Sequence, residues 1–183
     1  GFDAGKYGLL PLTLEEQAQV IELVTQWTSG WTAIPAFYVD TPLVTATGVF
    51  DVGQCEMAAR RWLKAARGAG ATTVLFDAPD RVNPRRLVHG SDSPDGVLTP
   101  DQIEALRDYS ELLGVKILWS GGITAAQAFE LARRRVVGIF STSSTAAKIA
   151  ATAQFQQDPR LAAENEPTDF GVRRMHAIIQ GGF

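Results

Sequence analysis

A chain of 183 residues has room for one domain with a substantial core, since a domain of this size removes roughly two-thirds of its unfolded surface from water. A composition of 45% hydrophobic and 20% charged residues with a net charge of -3 gives no electrostatic reason to expect nucleic acid or an anionic membrane surface as a partner. Cys55 is the only cysteine, which excludes an intramolecular disulfide and a multi-cysteine metal cage; with apolar runs too short to span a bilayer and no leader-like opening, the expectations are no metal, no membrane segment and a cytoplasmic setting.

In chain order, Gly1-Phe2-Asp3-Ala4 stands just ahead of a helix, as though a first strand were missing or very short. Thr13 with Glu16 has the spacing of a capping box, in which a side-chain oxygen accepts a free N–H of the first turn and the acid reaches back. Behind it Val20, Leu23, Val24 and Trp27 fall on one helical face, which places Trp27 in the core together with Trp62 and Trp119. Residues 33–39 form a short apolar run of the kind buried on both faces of a parallel sheet, and 43–47 are a loop or an extra strand. Asp51 with Gln54 starts a second helix, whose stripe is Cys55, Ala58, Ala59, Trp62 and Ala66; Cys55 is therefore expected as a buried, inert thiol. A strand at 72–76 leads into a long loop at 78–98, interrupted by Pro79, Pro84, Gly90, Pro94 and Gly96.

Thr99 with Gln102, and Pro100 at the first helical position, open a third helix with Ile103, Leu106 and Leu113 inward. A strand at 115–119, a helix opened by Thr124 with Gln127, and a strand at 136–140 complete the pattern. Helices alternating with buried strands imply an α/β domain, either a TIM-type (β/α) barrel or an open doubly wound sheet. A closed eight-stranded barrel usually takes about 200 residues or more, so the expectation is a barrel incomplete at its N-terminus. It occupies residues 1–155, and 156–183 form a C-terminal helical extension with Val172, Met175, Ile178 and Ile179 on one face. That helix covers the barrel or a partner subunit, which makes a homo-oligomer one of the expectations.

The segments that carry chemistry are Lys116-Ile117-Leu118-Trp119-Ser120-Gly121-Gly122-Ile123-Thr124 and Gly138-Ile139-Phe140-Ser141-Thr142-Ser143-Ser144-Thr145. Each is a buried strand that stops at small residues and enters a helix. Glycine lets an anion approach the backbone N–H groups, hydroxyls add donors, and a helix N-terminus favours negative charge. Here the chain resembles the phosphate-binding (β/α)8 barrels, among them phosphoribosylanthranilate isomerase, thiamine phosphate synthase, quinolinate phosphoribosyltransferase and several FMN oxidoreductases. The resemblance covers residues 115–148; Thr142 and Ser143 depart from the usual small residue after the eighth strand. It implies that Gly121, Gly122, Ser143 and Ser144 hold the phosphate of a small metabolite, or that of FMN. The competing structural reading is that the glycines only permit a tight connection and the hydroxyls only cap a helix.

Acids and bases of a barrel enzyme sit at the C-terminal strand ends. Asp40 and Asp77 each follow an apolar strand, so both carboxylates are candidates for proton transfer, with capping as the structural alternative. His89 and the nearby Arg81, Arg85 and Arg86 lie in the long loop; Lys6 follows Gly5. For His89 a solvated surface position competes with proton transfer near neutral pH, and for the arginines and Lys6 it competes with anion binding. Three functions follow: an isomerase or lyase acting on a phosphorylated metabolite, an FMN-dependent oxidoreductase with the same grip, or a non-catalytic barrel remnant that binds a metabolite or partner.

Overall fold

The computed structural model describes residues 4–28, 30–78, 85–90, 93–136, 138–139, 146–148 and 165–167. Its central feature is a parallel four-stranded sheet in the order β1 (Ala4–Tyr7), β2 (Thr32–Tyr38), β5 (Thr73–Asp77), β6 (Lys116–Trp119). The helices α1 (Leu14–Trp27), α2 (Cys55–Gly68), α3 (Pro100–Leu113) and α4 (Ala125–Arg133) alternate with these strands. β3 (Leu43–Thr45) and β4 (Gly48–Phe50) form a separate antiparallel hairpin, and β7 (Ala146–Lys148) pairs antiparallel with β8 (Asn165–Pro167). The chain is thus an α/β protein with a mostly parallel sheet. The short first strand exists as β1, whereas the 43–47 segment turns back on itself instead of joining the main sheet.

All four helix starts form where side-chain chemistry places them. Thr13, Thr99 and Thr124 accept from the backbone of Glu16, Gln102 and Gln127, each completing a reciprocal capping box. Asp51 caps a 3-10 turn that runs directly into α2, with its N–H donating to Gln54 Oε1 at 3.2 Å. Of the fourth predicted strand, Val136, Gly138 and Ile139 are described; Ile139 makes a single parallel bridge to Trp119, supported by Trp119 N–H donating to the Gly138 carbonyl at 2.8 Å. The predicted extension over 156–183 lies outside the described residues, apart from β8.

Each strand buries the residues that alternate toward the helices. Phe37, Val74, Phe76, Ile117 and Trp119 face α2 and α3 within the main core, while Ile34, Ala36 and Leu75 form a smaller cluster on the other face with Tyr38 and Leu118 packed against it. An aromatic chain runs through the main core: Phe37 to Trp62 at 5.3 Å, Phe37 to Phe76 at 5.1 Å and Phe76 to Trp119 at 5.2 Å between ring centroids. The Trp62 indole N–H, fully enclosed, donates to Gln17 Oε1 at 2.7 Å, and Gln17 Nε2 donates to the Leu12 carbonyl at 2.8 Å. A buried polar pair thereby fixes α1 against α2 with its principal groups satisfied.

The stripe of α1 differs from the sequence expectation. Its buried residues are Leu14, Gln17 and Ile21, whereas Leu23 is 49% and Trp27 79% exposed. Period alone selects a face only when one face is clearly more apolar, and α1 carries apolar residues on two sides. The capping box and the Gln17–Trp62 bond decided which side turned inward. Trp62 and Trp119 are buried, as their spacing implied, and so is the whole predicted stripe of α2.

Candidate functional site

The C-terminal ends of β1, β2, β5 and β6 lie side by side, and the chain leaves each of them in a turn. After β6, Gly121 and Gly122 take φ values of 113° and 68°, a region that L side chains rarely adopt. Space demands glycine here as well: a Cβ on Gly121 would stand 2.7 Å from the Ala78 amide nitrogen, and one on Gly122 would stand 3.3 Å from Arg86 Cγ. The turn is therefore wedged between the end of β5 and the loop that follows it.

The described residues of that loop, 85–90 and 93–98, are more regularly hydrogen-bonded than their proline and glycine content implied. Leu87 N–H donates to the Gly121 carbonyl at 2.8 Å, Leu98 N–H to the Leu87 carbonyl at 2.9 Å, and Val97 N–H to the Arg86 carbonyl at 2.9 Å. Leu87, Val88 and Leu98 are buried. Gln127 Nε2, at the start of α4, donates to the Val88 carbonyl at 3.2 Å, so one glutamine closes the helix cap and pins the loop. The result is a fixed wall beside the Gly121-Gly122 turn, with the half-buried Arg86 stem lying against Gly122. Among the described residues no carboxylate pairs with Arg86. Arg85 and His89 are exposed, and Arg81 lies outside the described residues.

The capping box also limits what the helix can offer a ligand. It occupies the amides of Thr124 and Gln127, so an anion at this turn draws on Gly122 and Arg86 more than on the dipole of α4 alone. Of the sequence-derived phosphate residues, Gly121 and Gly122 lie in the turn after β6, while Ser143 and Ser144 lie outside the described residues.

Asp77 closes β5 on the face turned away from the helices. Its Oδ1 accepts from the Ala78 N–H at 3.0 Å, and its Oδ2 lies 3.7 Å from Lys6 Nζ, which reaches across from β1. Asp40, two residues beyond the end of β2, has the Thr41 hydroxyl at 3.4 Å from its Oδ1. Tyr38 pairs in register with Asp77 and feels the charges of both carboxylates. Burial first, then the charges of Asp77 and Asp40, push the Tyr38 phenol above its ordinary value. Sequence reasoning placed both aspartates at the mouth but had no signal for Tyr38, a strand residue whose partners come from other strands. Beside it Leu9, Leu10, Tyr38 and Thr41 line a water-sized cleft of about 10 Å³. Two larger clefts lie elsewhere: one of about 370 Å³ between α3 and β6, and one of about 390 Å³ on the outer surface of α2.

Cys55 lies behind the mouth, 5% exposed. Burial, reinforced by the charges of Asp40 and Glu56, pushes its thiol up to about 12. Tyr7, whose hydroxyl is enclosed and has no hydrogen-bond partner among the described residues, is also pushed up to about 12 by burial. Both groups are held neutral by the fold, so their contribution is complete below their unfolded values and is lost as pH rises toward about 12. Urea midpoints are accordingly expected to fall on going from neutral to strongly alkaline pH. A thiol reagent should leave Cys55 unlabelled until the protein unfolds. Rapid labelling of the native protein at neutral pH would contradict this burial.

Among the described residues no helix is long and apolar enough to cross a membrane, and no three His, Cys, Asp or Glu side chains converge on a common metal position. No family model, curated protein or solved structure matches the chain, so what can be said of its function rests on the geometry of the strand ends.

Proposed function

We propose that the chain is an enzyme of the (β/α)-barrel type, built here from a partial barrel, that acts on a phosphorylated small metabolite. The phosphate sits against the Gly121-Gly122 turn, held by the Gly122 amide and the Arg86 guanidinium, with Ser143 and Ser144 as the further hydroxyl donors that the sequence resemblance implies. Asp77, with Asp40 beside it, moves a proton on the ligand, which makes isomerisation or elimination the reaction class. The observation that carries this reading is the Arg86 stem, whose Cγ would stand 3.3 Å from a Cβ on Gly122, because it roots a cationic side chain beside a turn whose glycine carries no Cβ.

Arg86→Ala tests it directly. Charge-assisted hydrogen bonds contribute about 1.5–3 kcal/mol, so the affinity for inorganic phosphate measured by calorimetry should fall at least about tenfold. An unchanged affinity in the folded variant would remove Arg86 from the site. The same titration with FMN separates the flavin reading: tight FMN binding together with a yellow purified protein would replace isomerase or lyase chemistry by redox chemistry.

A further inference from the structure

Around the Tyr38 hydroxyl, three strand ends bring together side chains that phosphate binding does not use. Asp77 alternates with the core residue Phe76, and Tyr38 with Phe37, so both project from the sheet face opposite the helices. Lys6 projects the same way from β1, with Nζ 3.7 Å from Asp77 Oδ2. The approach of Tyr38 to β1 depends on Gly8, where a Cβ would overlap the Tyr38 hydroxyl oxygen. Asp77 and Gly121 share one neighbour, the Ala78 amide nitrogen, which donates to Asp77 Oδ1 at 3.0 Å and would stand 2.7 Å from a Cβ on Gly121. The glycine turn and this cluster therefore border the same residue, Ala78.

We propose that Lys6, Tyr38 and Asp77 form the subsite for the non-phosphate end of the ligand, and that this end is an uncharged, hydroxyl-bearing group and not a second anion. The inference rests on the phosphate reading and adds the substrate class. Its first ground is the hydrogen-bond inventory. Lys6 only donates, ionised Asp77 only accepts, and Tyr38 does both, which matches neighbouring hydroxyl groups that donate and accept in turn. Its second ground is charge. Lys6 contributes one positive charge and Asp77 and Asp40 contribute two negative ones, so the cluster is net negative, and Lys6 is already engaged by Asp77. A carboxylate entering here meets like charge at short range, which a hydroxyl does not.

Calorimetry on the full chain with inorganic phosphate, glycerol phosphate and phosphoglycerate tests this, because the last two differ chiefly by a carboxylate. Glycerol phosphate should bind about tenfold more tightly than inorganic phosphate, as expected for one or two added hydrogen bonds. Phosphoglycerate should bind no more tightly than phosphate. Asp77→Asn removes one negative charge and should raise phosphoglycerate affinity relative to that of inorganic phosphate. Tyr38→Phe, a smaller change that keeps the ring, should erase the glycerol phosphate advantage alone. Tighter binding of phosphoglycerate than of glycerol phosphate to the unmodified protein would overturn the inference, as would variants that shift all three ligands equally. If inorganic phosphate itself fails to bind, the phosphate reading falls and this subsite with it. Phosphate binding without discrimination between the two esters overturns the subsite alone.

Discussion

Gly122→Val is expected to abolish most phosphate binding while leaving the protein folded. The residue stands at φ 68°, where a branched side chain is strained by roughly 1–2 kcal/mol. Its new Cβ would press on Arg86 Cγ from 3.3 Å. Arg86 is a flexible stem that can swing aside, so the fold survives, but the swing removes the cation and the branched methyls cover the amide. Loss of one charge-assisted contact and one backbone donor corresponds to a fall in affinity of about a hundredfold. Gly121→Val supplies the contrast, since its Cβ would meet the backbone nitrogen of Ala78 at 2.7 Å, which cannot move without shifting the end of β5. That variant should lose stability first and binding as a consequence. Calorimetric affinity combined with urea unfolding distinguishes the two. Phosphate affinity that survives Gly122→Val in a folded protein would remove the turn from the functional account.

Trp62→Ala is expected to be the most damaging single change to stability. The side chain is fully enclosed and touches Phe37 and Phe76 at ring-centroid distances of 5.3 and 6.2 Å. Truncating an enclosed tryptophan costs about 3–5 kcal/mol through lost burial and the cavity it leaves, a large part of the 5–15 kcal/mol that holds a typical domain folded. Trp62→Phe retains most of the packing but leaves Gln17 Oε1 without its 2.7 Å donor, a penalty of about 1–3 kcal/mol. Adding Gln17→Met to Trp62→Phe should return part of that loss, because the abandoned acceptor is then gone. Strictly additive effects in urea unfolding would mean that the bond contributes nothing to the docking of α1 on α2.

The four helices were legible because their signals are local. A capping box spans four residues, and the same Thr, Glu and Gln side chains that mark the starts in the sequence close the hydrogen bonds in the structure. The buried stripe of α2 and the apolar runs of β2, β5 and β6 follow from period and β-branching for the same reason. Gly121 and Gly122 stood out because a left-handed backbone has one preferred residue.

The inward face of α1 lay beyond reach of period, because two sides of that helix carry apolar residues and a polar bond between Gln17 and Trp62 selected one. The loop residues 85–90 and 93–98 looked irregular because their order comes in part from a backbone bond to the β6–α4 turn and from Gln127, partners that belong to other elements. Lys6, Tyr38 and Asp77 meet because the sheet order is β1-β2-β5-β6. The amino-acid sequence by itself determined where helices begin, which strands are buried and where a turn must be glycine, since these are settled by neighbours a few residues away. Only the tertiary structure decided which charges share the mouth and that Arg86 lies on Gly122, because contacts across a sheet depend on strand order and register, which no single strand specifies.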